Sequence, residues 1–95
     1  MKHIEDKYFI SLAENLKILI EAKGLDIADI AAGANVDRRQ VYRLLNKENV
    51  PMLSTLIKIS LAAGIEPKIL FDFKFNYSDY MKENIIYPAT KKKKK

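Results

Sequence analysis

Asp26-Ile27-Ala28-Asp29-Ile30-Ala31-Ala32-Gly33-Ala34-Asn35-Val36-Asp37-Arg38-Arg39-Gln40-Val41-Tyr42-Arg43-Leu44-Leu45 is the stretch that decides the fold. It reads as two short helices joined by a tight turn. Asp26 suits a helix N-cap, and Asp29 adds negative charge to the first turn. Ile27, Ile30 and Ala31 then recur at helical spacing and face inward, which predicts a helix from about Ile27 to Gly33. Ala34-Asn35-Val36 forms the turn, because Asn enters the left-handed region at low cost. Asp37 caps the second helix, and Gln40 three residues on completes a capping-box-like pair. This helix is expected to cover residues 38–47, with Val41, Leu44 and Leu45 inward.

All three arginines of the chain, Arg38, Arg39 and Arg43, lie in this second helix, while the other fourteen basic residues are lysines. Positions 39 and 43 are one helical turn apart and share a face, with 38 and 42 beside them. Guanidinium forms two parallel hydrogen bonds to guanine edges or phosphates, which lysine does poorly. Arginines outside and aliphatics inside describe a reading head for nucleic acid. The plainer reading is a solvated helix face.

Working outward, Phe9, Leu12, Leu16, Leu19, Ile20 and Lys23 follow 3–4 spacing, so a first helix is expected from Tyr8 to Lys23, stopped by Gly24. After the polar loop Lys47-Glu48-Asn49-Val50-Pro51, a fourth helix should run from Leu53 to Ala63. Leu56, Ile57, Ser60 and Leu61 are spaced for burial, Gly64 ends the helix, and Met52 is a poor cap. Pro67 takes the favoured first position of a short fifth helix. Ile69 and Leu70 are expected to seal the core.

The period then changes. Phe71, Phe73, Phe75 and Tyr77 alternate with Asp72, Lys74, Asn76 and Ser78, the pattern of a strand with one apolar face. A lone strand exposes an edge, so this segment is expected to pair with its copy as a ribbon across a homodimer. The competing reading is an extended tail packed on its own domain. Stacking of single-stranded bases on these rings is a weaker third reading. Asp79 to Tyr87 carries a faint helical signal, and the chain from Pro88 on is expected to be loose.

Composition bounds the class. Ninety-five residues, 48% of them apolar, make one small domain with a modest core. The absence of cysteine excludes a disulfide framework and thiolate metal sites. No apolar run approaches the roughly 20 residues needed to span a membrane. The acidic early N-terminus has no signal-peptide core, so a cytoplasmic protein is expected. The net charge of +5 is local: without Lys91 to Lys95, twelve basic residues face twelve acidic ones. That lysine run is expected to be disordered. It can strengthen polyanion binding by counterion release, or be an appended solubility segment, or have no role. The division expected is an N-terminal arm (1–7), a helical domain (8–71), a C-terminal extension serving dimerisation (72–88) and a lysine tail (89–95).

Taken in order, Gly24 to Leu44, the ungapped run to Pro51, then Leu53-Ser54-Thr55-Leu56-Ile57-Lys58-Ile59 and Gly64-Ile65 resemble the Cro/phage-repressor-like (XRE) helix-turn-helix family. The resemblance covers about Phe9 to Phe71. It implies an all-α, five-helix domain whose third helix enters the major groove of double-stranded DNA. Carried over position by position, Arg38, Arg39 and Arg43 become the base readers. Asp37 and Gln40 set the helix start and lie within reach of phosphate or base. Tyr42 flanks, near a sugar-phosphate or thymine methyl. Asn46, Lys47 and Asn49 meet the backbone. Arginine's preference for guanine implies a half-site with at least one G·C pair. Three positions depart from the family pattern. Ile27 replaces a glutamine that braces a phosphate contact, so that contact is missing or made by helix amides. Ile20 and Leu45 together replace an arginine–glutamate pair, which leaves no orphaned charge. Lys47 replaces a glycine after the reading helix, so a different loop path is expected there.

An enzyme reading finds no support. His3 is the sole histidine, the serines have no candidate base at recognisable spacing, and the glycines form no phosphate loop. No cofactor or metal is expected. The serious competitor to a sequence-specific transcriptional regulator is a protein-interaction module of the same fold with weak or no specific DNA binding, an antitoxin with an unidentified toxin partner being one form. The neutral body favours that competitor; the arginine cluster favours DNA.

Overall fold

Six helices follow one another in the computed structural model, which describes residues 5–90. α1 (Lys7–Lys23) begins where the Asp6 carboxylate accepts the Phe9 amide at 3.0 Å. Its buried side is Phe9, Leu12, Ala13, Leu16 and Ile20, the 3–4 row of the sequence. α2 (Ile27–Ala34) starts at Asp26, whose carboxylate accepts the Ala28 amide at 3.2 Å. It buries Ile30, Ala31 and Ala34. α3 (Arg38–Leu45) buries Val41, Leu44 and Leu45. α4 (Leu53–Ala62), the single turn α5 (Pro67–Leu70) and α6 (Tyr77–Glu83) complete the order.

α2 packs on α3 and α4, and α1 braces α3 and α5 from the other side. Small residues let α2 and α4 approach closely: a Cβ added at Gly33 would stand 3.4 Å from the Ala62 Cβ. Leu12, Leu16, Ile30, Val41, Leu44, Ile59 and Leu70 are fully enclosed at the centre. Two polar links close the core, and among the described residues no buried side-chain polar atom is left unpaired. Ser60 Oγ donates to the Ile65 carbonyl at 2.6 Å, and Asn15 Nδ2 donates to the Leu70 carbonyl at 2.9 Å. Ile20 and Leu45, the replaced charge pair, both join this core.

Five helices end in one device, a residue of left-handed or bridging geometry that lets two successive amides turn back onto the last carbonyls. After α3 the Lys47 amide donates to the Leu44 carbonyl at 3.1 Å and the Glu48 amide to the Arg43 carbonyl at 2.8 Å. Gly24 and Gly64 serve α1 and α4, and Asn35 serves α2. Lys47 (φ 61°) and Ile85 (φ 55°) hold the same geometry at a steric cost that glycine would avoid.

The structure corrects several expectations. α3 ends at Leu45, two residues early, and Lys47 keeps the left-handed turn that a glycine there would make, so its side chain does not redirect the loop. On α4 the buried face is Leu56, Ile59, Ser60 and then Ala63, so Leu61 points out. Leu70 seals the core, but Ile69 is exposed. The strand expected at Phe71–Tyr77 is absent, and a sixth helix follows instead. Asn76 caps that helix through the Asp79 amide at 3.1 Å. Lys91–Lys95 and the first four residues of the N-terminal arm lie outside the described residues. Among the described residues no helix is long and apolar enough to cross a membrane.

Candidate nucleic-acid interface

The outer surface of α3 is built by its inner one. Val41, Leu44 and Leu45 clamp the helix to the core, and at about 100° per residue that leaves the arc centred on position 39 facing solvent. Arg39 therefore sits roughly opposite the buried face. Arg43 lies about 40° to one side of it, and Tyr42 and Arg38 lie on the other. Arg38, Arg39, Gln40, Tyr42 and Arg43 are all exposed. The structure thus leaves all three arginines exposed, with Arg39 and Arg43 on one face and Arg38 about 100° round the helix from Arg39.

The groups around them are not equivalent. Asp37 Oδ1 accepts the Arg39 amide at 2.8 Å and caps α3, while Arg39 Nη2 donates to Asp37 Oδ2 at 3.1 Å. The Gln40 side chain makes no return bond to the cap among the described residues, so the capping box is only half formed. The Arg39 guanidinium and amide hold the Asp37 carboxyl below its ordinary value, with a smaller contribution from Arg43. Asp37 in turn pushes Arg39 up, first through the side-chain hydrogen bond. Neither Arg38 nor Arg43 has a carboxylate at ion-pair distance among the described residues.

Beyond the helix, Asn46 and Asn49 are exposed, but Lys47 is not an open cation. Its Nζ stands 3.1 Å from Glu14 Oε1 on α1. Glu14 is a member of this surface that the sequence reading missed, because an ion pair spanning thirty-three positions leaves no local spacing signal. At the start of α2, the Asp26 carboxylate already occupies the Ala28 amide. A phosphate would have to displace it, so helix amides are poor substitutes for the contact that Ile27 cannot make.

The aromatic segment lies apart from this surface. Phe71 and Phe73 pack against the core. The Tyr8 ring is 5.2 Å from Phe73, 4.9 Å from Phe75 and 5.9 Å from Tyr77, centroid to centroid. Tyr80 Oη donates to Asp6 Oδ2 at 2.6 Å, and Lys7 pairs with Glu83 at 2.8 Å. These rings fold onto the chain's own α1. The signal for this was the Asn76/Asp79 cap pair together with an aromatic in the first turn of α1.

The family model for a helix-turn-helix matches residues 16–70. Among solved structures, the chain is similar to the restriction-modification controller protein C.AhdI from Aeromonas hydrophila. The two are 28% identical over 66% of this chain and 96% of that one, with a TM-score of 0.61. No curated protein matches the chain. α6 and its aromatic linker fall outside the family match.

Proposed function

The chain belongs to the Cro/phage-repressor-like (XRE) helix-turn-helix family of DNA-binding transcription regulators, and on that premise we propose that it reads a specific duplex sequence by setting α3 in the major groove. The observation that carries this is the exposed arginine surface of α3, held rigid by three buried aliphatics on its other side. Arg38, Arg39 and Arg43 supply base contacts, with guanine the favoured partner. Gln40 and Tyr42 flank them, and Asn46 and Asn49 meet phosphates beyond the helix end. Lys47 joins them only when phosphate competes with Glu14. This is a binding activity, not an enzymatic one.

A second copy of the chain completes the reading, because paired domains recognise half-sites about 34 Å apart. The surface for it is not a strand. Leu53 and Leu61 on α4, and Ile85, Ile86 and Tyr87 after α6, are exposed apolar side chains that association would cover. Binding-site selection from random duplex DNA at stated salt tests the proposal. Enrichment of a G·C-containing half-site is the expected result. Retention of all sequences alike would leave an interaction module of the same fold.

A further inference from the structure

Asp37 meets Arg39 twice, and the way it does so determines what Arg39 can still bind. Oδ1 accepts the Arg39 amide at 2.8 Å and Nε at 3.4 Å, while Oδ2 accepts Nη2 at 3.1 Å. The carboxylate therefore lies along the side edge of the guanidinium, the edge formed by Nε and Nη2. A guanidinium carries five N–H donors. Three remain here: both on Nη1 and the second on Nη2. One on Nη1 and the one on Nη2 form the end edge, a parallel pair of donors of the kind that matches guanine O6 and N7. A carboxylate seated on the end edge would have blocked that match.

Three further facts single out this arginine. Arg39 is the member of the trio most nearly opposite the buried face of α3. It is the only one with a carboxylate partner among the described residues. Its partner is also the helix cap, so the carboxylate is anchored by backbone and cannot follow the side chain away. An arginine free in solvent samples many rotamers and loses that freedom on binding. One already held loses less.

We infer that Asp37 is a positioning residue that pre-orders Arg39 as the guanine reader of α3, leaving Arg38 and Arg43 as the freer cations. This rests on the DNA reading above. The pair is electrically neutral, so phosphate has little hold on Arg39 and the base edge becomes its better partner. Arg38 and Arg43 keep full charge, so the contacts they make add counterion release to any base reading.

Asp37→Asn separates the two roles, because Asn caps a helix as well as Asp does but offers no carboxylate. Site selection from random duplex DNA is run for the intact protein, Asp37→Asn, Arg39→Ala and the double variant, and the salt dependence of binding is measured for each. The expected result is a loss of guanine preference of about 5- to 30-fold for Asp37→Asn, at the one position that Arg39→Ala also relaxes. The double variant should be no worse there than Arg39→Ala. The salt slope of Asp37→Asn should steepen by about 0.9, one released counterion. Arg39→Lys leaves the cap intact and should relax the same position even if Asp37→Asn folds poorly. An unchanged preference in Asp37→Asn overturns the inference, and so does an unchanged preference in Arg39→Lys. So does a loss at a different position, which would mean that the carboxylate reads a cytosine itself. If the intact protein enriches no sequence, the DNA reading fails and takes the inference with it.

Discussion

Lys47 Nζ and Glu14 Oε1 stand 3.1 Å apart and tie the turn after α3 to the middle of α1. The pair is partly open to solvent, so its effect on stability is small, below about 1 kcal/mol. Its effect on binding is larger, because it withholds a cation from phosphate. Glu14→Gln should therefore tighten binding to duplexes of any sequence and steepen the salt slope by about 0.9. Unchanged salt dependence would show that Lys47 already faces DNA.

The same lysine occupies a left-handed backbone position, as does Ile85. Glycine accepts this geometry without a Cβ clash, so Ile85→Gly should raise stability by about 1 kcal/mol in thermal unfolding. Lys47→Gly should gain somewhat less, since it also gives up the link to Glu14. A loss at both positions would mean that their side chains contribute more than their backbones cost.

Arg43 has no carboxylate partner among the described residues and lies on the open side of α3. Arg43→Ala should weaken a selected site by about 5- to 150-fold, the 1–3 kcal/mol of one bidentate base contact. Titration of selected and scrambled duplexes by fluorescence anisotropy decides its role. Equal weakening on both assigns it to phosphate.

Acid should unfasten the start of α3. The Asp37 carboxyl is held below its ordinary value by Arg39, so its share of stability is present above the usual Asp range and is lost as pH falls through the lowered folded value. Following the Asp37 carboxyl carbon by NMR should give a midpoint below about 3.9. Arg39→Ala should return it toward that figure. A midpoint insensitive to Arg39→Ala would leave the cap amide as the sole cause.

Tyr8 joins four other rings between α1 and α6, with Tyr8 to Tyr80 at 6.3 Å. Tyr8→Ala should cost about 1–3 kcal/mol, a few aromatic pairs' worth, and should leave base preference intact. A changed preference would connect α6 to the groove-facing surface.

The first five helices were legible because each carries its own local signals. Asp26 and Asp37 cap, Gly24 and Gly64 stop, Pro67 opens α5, and the aliphatics recur at 3–4 spacing. α4 was readable as a helix but not in rotation. Leu53-Ser54-Thr55-Leu56-Ile57-Lys58-Ile59-Ser60-Leu61 offers two apolar faces, and only contact with α2 selects the one holding Ile59. Residues 71–77 misled because alternation of aromatics records one covered face, which a coil laid across Tyr8 provides as well as a strand does. The arginine surface was visible from spacing. The partners Asp37 and Glu14 that temper it depend on side-chain direction and tertiary approach, which spacing does not encode.

The bond from Tyr80 to Asp6 brings the beginning and the close of the folded body to one corner. Together with the Lys7–Glu83 ion pair, it fastens α6 to the start of α1 at two points, so loosening α6 would also loosen the first turn of α1.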